Sequence, residues 1–142
     1  MISPAGYSGT PLIKKLGIKP GMRVCILNAP PAYSQALGKL PPGVKSVSRL
    51  SNPHTLDFIQ FFTMQTRQLE LQFPKLKTAL TYDGLLWISW PKRASKVETD
   101  LDENVVRQLG LAAGLVDVKV AAVDEVWSGL KFVYRLEHRP GR

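Results

Sequence analysis

The stretch KPGMRVCILNAPPAY, residues 19–33, decides how the rest of the chain is interpreted. A Lys-Pro-Gly turn leads into RVCILN, residues 23–28, which is apolar on both faces, as is typical of a central strand in a parallel sheet covered by helices. In sheets that bind nucleotides, a glycine-rich loop commonly follows such a strand. Here the strand is followed by Ala29, Pro30 and Pro31, and the two prolines remove N–H donors and fix φ.

Length and composition predict a single domain over residues 1–142, with an arm and a short helix in residues 1–20 and a basic tail in residues 137–142. The 44% of hydrophobic residues is enough to form a core. No apolar run approaches the roughly 20 residues that a membrane span needs. The N-terminus lacks the basic and apolar regions of a signal peptide. We therefore expect a cytoplasmic protein with no membrane partner, in which Cys25 is a small core residue.

The formal net charge of +8 and the pI of about 9.8 favour acidic partners, such as nucleic acid, a phosphorylated ligand or an acidic protein surface. Near the end of the chain, LKFVYRL alternates between apolar and other residues, which predicts a half-exposed strand. Lys131 and Arg135 on its exposed face would discourage pairing between sheet edges, so a monomer is favoured.

The remaining patterns alternate between strands and helices. A helix is expected from Thr10 and Pro11 to Gly17. Residues 56–62 could open a helix, but their bulky and β-branched side chains favour a strand. The helix that follows contains Pro74 and is expected to kink or restart there. A turn at Tyr82 to Gly84 precedes the strand LLWISW, and a further helix is expected from Asp100, with Glu103 completing a capping box. The last two strands are LVDVKVAAV and LKFVYRL.

This order predicts an α/β fold: a single-domain, Rossmann-like three-layer sandwich with a mostly parallel sheet and an antiparallel last strand. The segments IKPGMRV and LDFIQFF…LKTALTYDGLLWISW resemble the class I methyltransferase version of that fold, which ends in a reversed strand. The resemblance implies a methyl-donor loop with glycines and an acidic residue after the second strand. This chain has the Ala-Pro-Pro loop and Arg49 at those places, and it lacks a P-loop. We therefore expect no tightly bound cofactor.

A second resemblance covers nearly the whole chain. GYSGTPLIKKLGIKPG, NAP, LWISWPKRASKVETDL and GLVDVKVAAVDEVWSGLKFVYR are similar to a bacterial family of uncharacterised proteins, domain-of-unknown-function family 3052. That family implies no activity and no site residues.

Ligands of open α/β sheets bind beyond the carboxyl ends of the strands. The residues expected at that edge form a hypothetical anion-binding site: Lys92, Arg93, Lys96, Asn28, Tyr33 and Ser89. In this hypothesis the three cations hold the anion, and Asn28 or Tyr33 orients it. If the chain termini lie close together, a second group of cations could form a nucleic-acid patch: Lys14, Lys15, Lys19, Arg135 and Arg139.

Catalytic and metal-binding patterns are not evident. His54 and His138 have no Cys or His partner at metal-ligand spacing, and no nucleophile elbow accompanies any serine. We assign no catalytic residue and no metal. The favoured interpretation is a non-catalytic binding or regulatory module for an anionic ligand or partner. The alternatives are a divergent methyltransferase-like enzyme with an altered nucleotide loop and a basic protein associated with nucleic acid.

Overall fold

The computed structural model describes residues 11–140. The expected cap at Thr10 and the last two residues of the basic tail lie outside that range. Ten regular elements follow one another: α1 (Leu12–Leu16), β1 (Arg23–Leu27), α2 (Tyr33–Leu37), β2 (Lys45–Val47), β3 (Leu56–Phe62), α3 (Thr66–Ala79), β4 (Leu80–Pro91), α4 (Glu103–Ala112), β5 (Leu115–Ala122) and β6 (Trp127–Tyr134). None of the helices in residues 11–140 is long and apolar enough to span a bilayer.

The six strands form one sheet in the order β2-β1-β3-β4-β6-β5. The first four strands of the chain are parallel, and β6 runs antiparallel to both β4 and β5. This arrangement confirms the predicted fold class. The strand order reverses between β1 and β3, because β2 lies on one side of β1 and β3 on the other. Ligand sites of open α/β sheets lie at such a switch point.

Two apolar cores cover the faces of this sheet. The core under α3 and α4 includes Phe73, Leu76, Val106 and Phe132. The other core, under α1 and α2, is built around Trp87, which is fully buried. The indole N–H of Trp87 donates a 2.8 Å hydrogen bond to the carbonyl of Leu16, and this bond ties the end of α1 to the middle of β4.

Several local predictions can be compared directly with the structure. Residues 56–62 form a strand, as expected. Pro74 lies inside one continuous helix, so α3 does not restart there. The prediction of a turn at Tyr82 to Gly84 was wrong, because these residues belong to β4. The register between β3 and β4 shifts where they lie. The turn-forming residues therefore mark an irregularity within a strand, as glycine in strands often does.

The start of α4 also differs from the prediction. The helix begins at Glu103, and Asp102 is its N-cap, accepting a 2.8 Å hydrogen bond from the Val105 amide. Asp100 instead accepts the backbone N–H of Thr66 at 2.7 Å, so it caps the start of α3. The capping-box pattern is local in sequence, whereas this contact joins residues that are far apart in the chain.

Candidate functional site at the carboxyl edge of the sheet

Two loops meet where the strand order reverses. Leu27 of β1 is paired with Phe61 of β3, so the residues that follow these strands leave the sheet side by side. Residues 28–32 follow β1, and residues 63–65 connect β3 to α3. Any ligand bound at the switch point would contact both loops.

The loop after β1 bends without glycine. Asn28 has φ 58° and Ala32 has φ 67°, so both residues adopt left-handed backbone conformations. Asparagine tolerates this region because its short polar side chain can form local hydrogen bonds, whereas alanine adopts it at a cost in strain. Asn28, Ala29 and Ala32 are all exposed. The loop therefore presents an open surface at the end of β1, despite its two prolines.

A buried layer of polar side chains lies beneath this loop. The Tyr33 hydroxyl donates to Oε1 of Gln60 at 2.6 Å, and Nε2 of Gln60 donates to the Ser89 hydroxyl at 3.1 Å. Gln60 and Ser89 are fully buried. Burial raises the pKa of Tyr33, and the nearby charge of Asp124 acts in the same direction, outweighing the opposing hydrogen bond to Gln60. The Tyr33 hydroxyl is therefore kept neutral and acts as a hydrogen-bond donor.

Aromatic rings enclose the same layer. The rings of Tyr33 and Phe62 meet edge to face at 4.8 Å, and those of Phe62 and Trp127 do so at 5.1 Å. At the turn before β6, Oδ1 of the Asp124 carboxylate accepts the amides of both Val126 and Trp127 at 2.8 Å. These contacts hold Trp127 at the carboxyl edge, next to the end of β4.

The predicted anion site is divided between the surface and the interior. Arg93 and Lys96 are exposed and Lys92 is partly exposed, in a short 3₁₀ turn after β4. Tyr33 and Ser89 are buried and hydrogen-bonded to Gln60, so they support the edge from beneath. The three cations are thus brought together, and of the three polar residues predicted at this site, Asn28 is the exposed one.

A groove of about 690 Å³ opens beside the loop after β3. It lies between the start of α3 and residues 97–100, and the Thr99 hydroxyl closes one side by donating to the carbonyl of Met64 at 2.7 Å. Met64 is 45% exposed, and it provides an apolar surface at this edge. The sequence analysis did not predict this groove. Its position after β3 and β4 is the signal that could have identified it. Its lining residues are Met64, Gln65, Arg67, Val97, Glu98, Thr99 and Asp100.

The predicted nucleic-acid patch does not form as one surface. Arg139 lies at the opposite edge of the sheet, where its guanidinium donates to the carbonyl of Tyr134 at 3.0 Å and lies 3.8 Å from Asp83. Lys15 of α1 instead donates to the carbonyl of Ala122 at the end of β5, at 3.0 Å. Lys14 and Lys15 therefore lie beside β5, whereas Arg139 belongs to a separate cluster.

Within residues 11–140, no group of His, Cys, Asp and Glu side chains is arranged to hold a metal ion. Cys25 is buried in β1, and burial raises the pKa of its thiol. A raised pKa disfavours the nucleophilic thiolate, which agrees with the prediction that this cysteine is a core residue.

Solved structures similar to this chain include S-adenosylmethionine (SAM)-dependent methyltransferases. One from Aquifex aeolicus is 19% identical, with a TM-score of 0.60 and 89% of each chain covered. The magnesium protoporphyrin IX methyltransferase of Synechocystis, with bound S-adenosylhomocysteine (SAH), is 12% identical, with a TM-score of 0.56 over 87% of this chain and 78% of that one. The 1,6-didemethyltoxoflavin-N1-methyltransferase of Burkholderia thailandensis, also with bound SAH, is 15% identical, with a TM-score of 0.58 over 85% of this chain and 73% of that one.

These likenesses show that the chain has the methyltransferase version of the Rossmann-like fold. No protein-family model matches the chain, and no curated protein matches it, so the resemblance to family 3052 is unconfirmed.

Proposed function

We propose that the protein binds a SAM-type ligand at the carboxyl edge of β1 and β3, as a divergent member of the methyltransferase-like class. The observation that carries this proposal is the conformation of the loop after β1. Asn28 and Ala32 both have positive φ, which is the conformation that glycine usually provides in such loops. Structural neighbours with bound SAH support a SAM-type ligand for this fold.

The residues at this edge fit such a ligand in part. Asn28 and Ala29 are exposed at the end of β1 and offer an amide side chain and backbone close to a bound nucleoside. Arg49 follows β2, where the resembling family has an acidic residue, so ribose hydroxyls would have to accept hydrogen bonds from this chain. Pro30 and Pro31 cannot donate N–H groups to the ligand. The ligand would therefore be held by fewer backbone donors than in a glycine-rich loop.

The groove beside the loop after β3 would receive the second substrate. Bound SAM would supply an activated methyl group, and the groove side chains would orient the group that accepts it. Gln65 offers an amide group, while Met64 offers an apolar surface. This combination fits a small acceptor that has both an apolar part and a polar part.

Calorimetric titration and thermal unfolding with SAM, SAH and methionine test the proposal. A ligand at about 100 times its dissociation constant adds roughly 2.7 kcal/mol of stability, which raises the unfolding midpoint by several degrees. We expect SAM and SAH to raise it and methionine alone to leave it unchanged. Absence of binding to both adenosyl ligands would refute the proposal.

A matched pair of variants locates the site. Ala29→Trp fills the exposed loop after β1, and Ala112→Trp adds the same side chain at the exposed end of α4, near the opposite edge. The first change should abolish the shift produced by SAH, and the second should preserve it. Loss of the shift in both variants, or in neither, would argue against a ligand site at this loop.

A second function is favoured by the short turn after β4. Arg93 begins a 3₁₀ turn that Lys92 and Lys96 flank, and none of the three is buried. This cluster could hold an anionic ligand in a non-catalytic module, although not at the start of α3, where Asp100 already provides a carboxylate. Binding of inorganic phosphate or nucleoside phosphates, lost on replacing the three cations by glutamine and accompanied by no SAH binding, would favour this function over the first.

A further inference from the structure

Two lysines face each other across the antiparallel pair β5–β6. Lys119 and Lys131 are register partners, so their side chains project from the same face of the sheet. The neighbouring residues Leu130 and Phe132 point into the core under α3 and α4, which places both lysines on the α1 side. Like charges that lie directly opposite on paired strands destabilise the sheet.

The side chain of Lys131 lies over the ring of Trp87. Its Nζ lies 5.8 Å from the centroid of the Trp87 ring, and the residue is only partly exposed. Burial lowers the pKa of Lys131, and the charges of Lys119 and Lys19 lower it further. The charged groups that act most strongly on this ammonium are therefore other cations.

Lysines of α1 adjoin this pair. Lys119 Nζ donates to the carbonyl of Lys15 at 3.5 Å, and Lys15 Nζ donates to the carbonyl of Ala122 at 3.0 Å. These two hydrogen bonds hold the ammonium groups of Lys15 and Lys119 against neighbouring backbone. Lys14, the adjacent residue of α1, is exposed. The lysines of α1, the loop after it, β5 and β6 thus form one group, which we call the lysine face: Lys14, Lys15, Lys19, Lys119 and Lys131.

Acidic residues of the same strands do not neutralise this face. β6 contains none, and Asp117, the acidic residue of β5, accepts a 2.9 Å hydrogen bond from Arg107 of α4. Because α4 packs on the opposite side of the sheet, that carboxylate is directed away from the lysine face. A group of cations kept together against their mutual repulsion gains stability when an anion binds.

We infer that the lysine face binds the phosphate backbone of nucleic acid. Phosphates recur along a strand with one charge each, and lysine binds them as a compact point charge. Trp87, the aromatic residue beneath the lysines, is fully buried and cannot stack on a base. The contacts would therefore be to phosphates alone and independent of base sequence.

Two double variants with the same change in net charge test this inference. Lys19→Gln with Lys131→Met removes two charges from the lysine face, and methionine preserves an apolar stem over Trp87. Lys39→Gln with Lys75→Gln removes two exposed lysines elsewhere. Binding to a fluorescent DNA duplex of mixed sequence is measured over a series of salt concentrations. The slope of log K against log salt should become shallower by about two for the first variant and remain unchanged for the second.

Thermal unfolding distinguishes a loss of DNA contacts from a loss of the folded state. Removing Lys131 relieves repulsion with Lys119, so the first double variant should unfold at the same temperature as the parent or at a higher one, while binding DNA more weakly. The inference is overturned if the parent does not bind DNA at low salt, or if the two double variants weaken binding equally. It is also overturned if poly-glutamate displaces DNA as effectively as an equal concentration of unlabelled duplex phosphate, which would indicate a surface for acidic protein.

Discussion

The hydroxyl of Tyr33 donates a 2.6 Å hydrogen bond to Oε1 of Gln60, a residue with no exposed surface in the central strand β3. Because Gln60 in turn donates to Ser89 of β4, one side chain of α2 is linked to two adjacent strands. Tyr33 immediately follows the loop that we propose as a ligand site. The conformation of this loop is therefore anchored in the centre of the sheet.

Replacing Tyr33 by phenylalanine should destabilise the fold by about 1–3 kcal/mol, because it leaves Oε1 of Gln60 buried without this donor. Denaturant unfolding of the Tyr33→Phe variant measures the change. The same substitution in a Gln60→Leu background should cost clearly less, since the acceptor is already absent. If Tyr33→Phe lowers the unfolding free energy equally in the two backgrounds, the hydrogen bond does not contribute to stability.

The stability of the protein should decrease as pH rises above about 10, the ordinary pKa of tyrosine. Burial, together with the proximity of Tyr82, raises the pKa of Tyr134 to about 12, and burial also raises that of Tyr33. Between these values the unfolded chain releases tyrosine protons that the folded chain retains. The free energy of unfolding therefore decreases over that interval. Below about pH 10 the tyrosines make their full contribution to stability.

A Tyr134→Phe variant isolates one part of this effect. It loses the 2.6 Å hydrogen bond from the Tyr134 hydroxyl to the carbonyl of Lys77 at every pH below the pKa, so it should be less stable than the parent near neutrality. The difference in unfolding free energy between the variant and the parent should decrease as pH rises from about 10 towards 12. Urea midpoints at several pH values provide the measurement, and a difference that stays constant with pH would contradict the raised pKa.

The fold was predictable from patterns that depend on neighbouring residues. The apolar runs of β1 and β4 and the alternation of β6 identified the strands of the sheet, and an antiparallel last strand was predicted. The role of Tyr82 to Gly84 was not predictable in this way. These residues are typical of a turn, and only their pairing with β3 places them inside β4.

The location of the candidate site could be predicted from the sequence, whereas the burial and contacts of its residues could not. Asn28, Tyr33 and Ser89 were expected at the carboxyl edge because each follows or ends a strand. The burial of Ser89 depends on its alignment with Gln60 of a neighbouring strand, which no local pattern encodes. Contacts between distant residues also brought Lys119 and Lys131 next to α1, whereas the sequence suggested Arg135 and Arg139.

Helix capping gives a test of one such distant contact. Asp102→Ala removes the local N-cap of α4, and Asp100→Ala removes the carboxylate that accepts the Thr66 amide at the start of α3. Each change should cost about 1 kcal/mol in denaturant unfolding, the usual value for a lost N-cap. A neutral Asp100→Ala variant would show that the distant carboxylate does not cap α3 in solution.

Gly110 of α4 packs directly against Phe132 of β6, and a methyl group at this position would lie 2.0 Å from the ring carbon Cε1. Alanine normally stabilises the interior of a helix by about 1 kcal/mol relative to glycine. Here the ring cannot move freely, because Phe132 also contacts Phe73 of α3 edge to face at 5.4 Å. Overpacking of a core typically costs about 1–3 kcal/mol. We therefore expect Gly110→Ala to destabilise the protein.

The control is Gln108→Ala, at an exposed position of the same helix, which should change the free energy of unfolding by less than about 0.5 kcal/mol. Combining Gly110→Ala with Phe132→Leu should recover part of the loss, because the smaller side chain makes room for the methyl group. If Gly110→Ala alone is as stable as the parent, α4 must be able to shift away from the sheet. The close packing between α4 and β6 would then not restrict residue 110 to glycine.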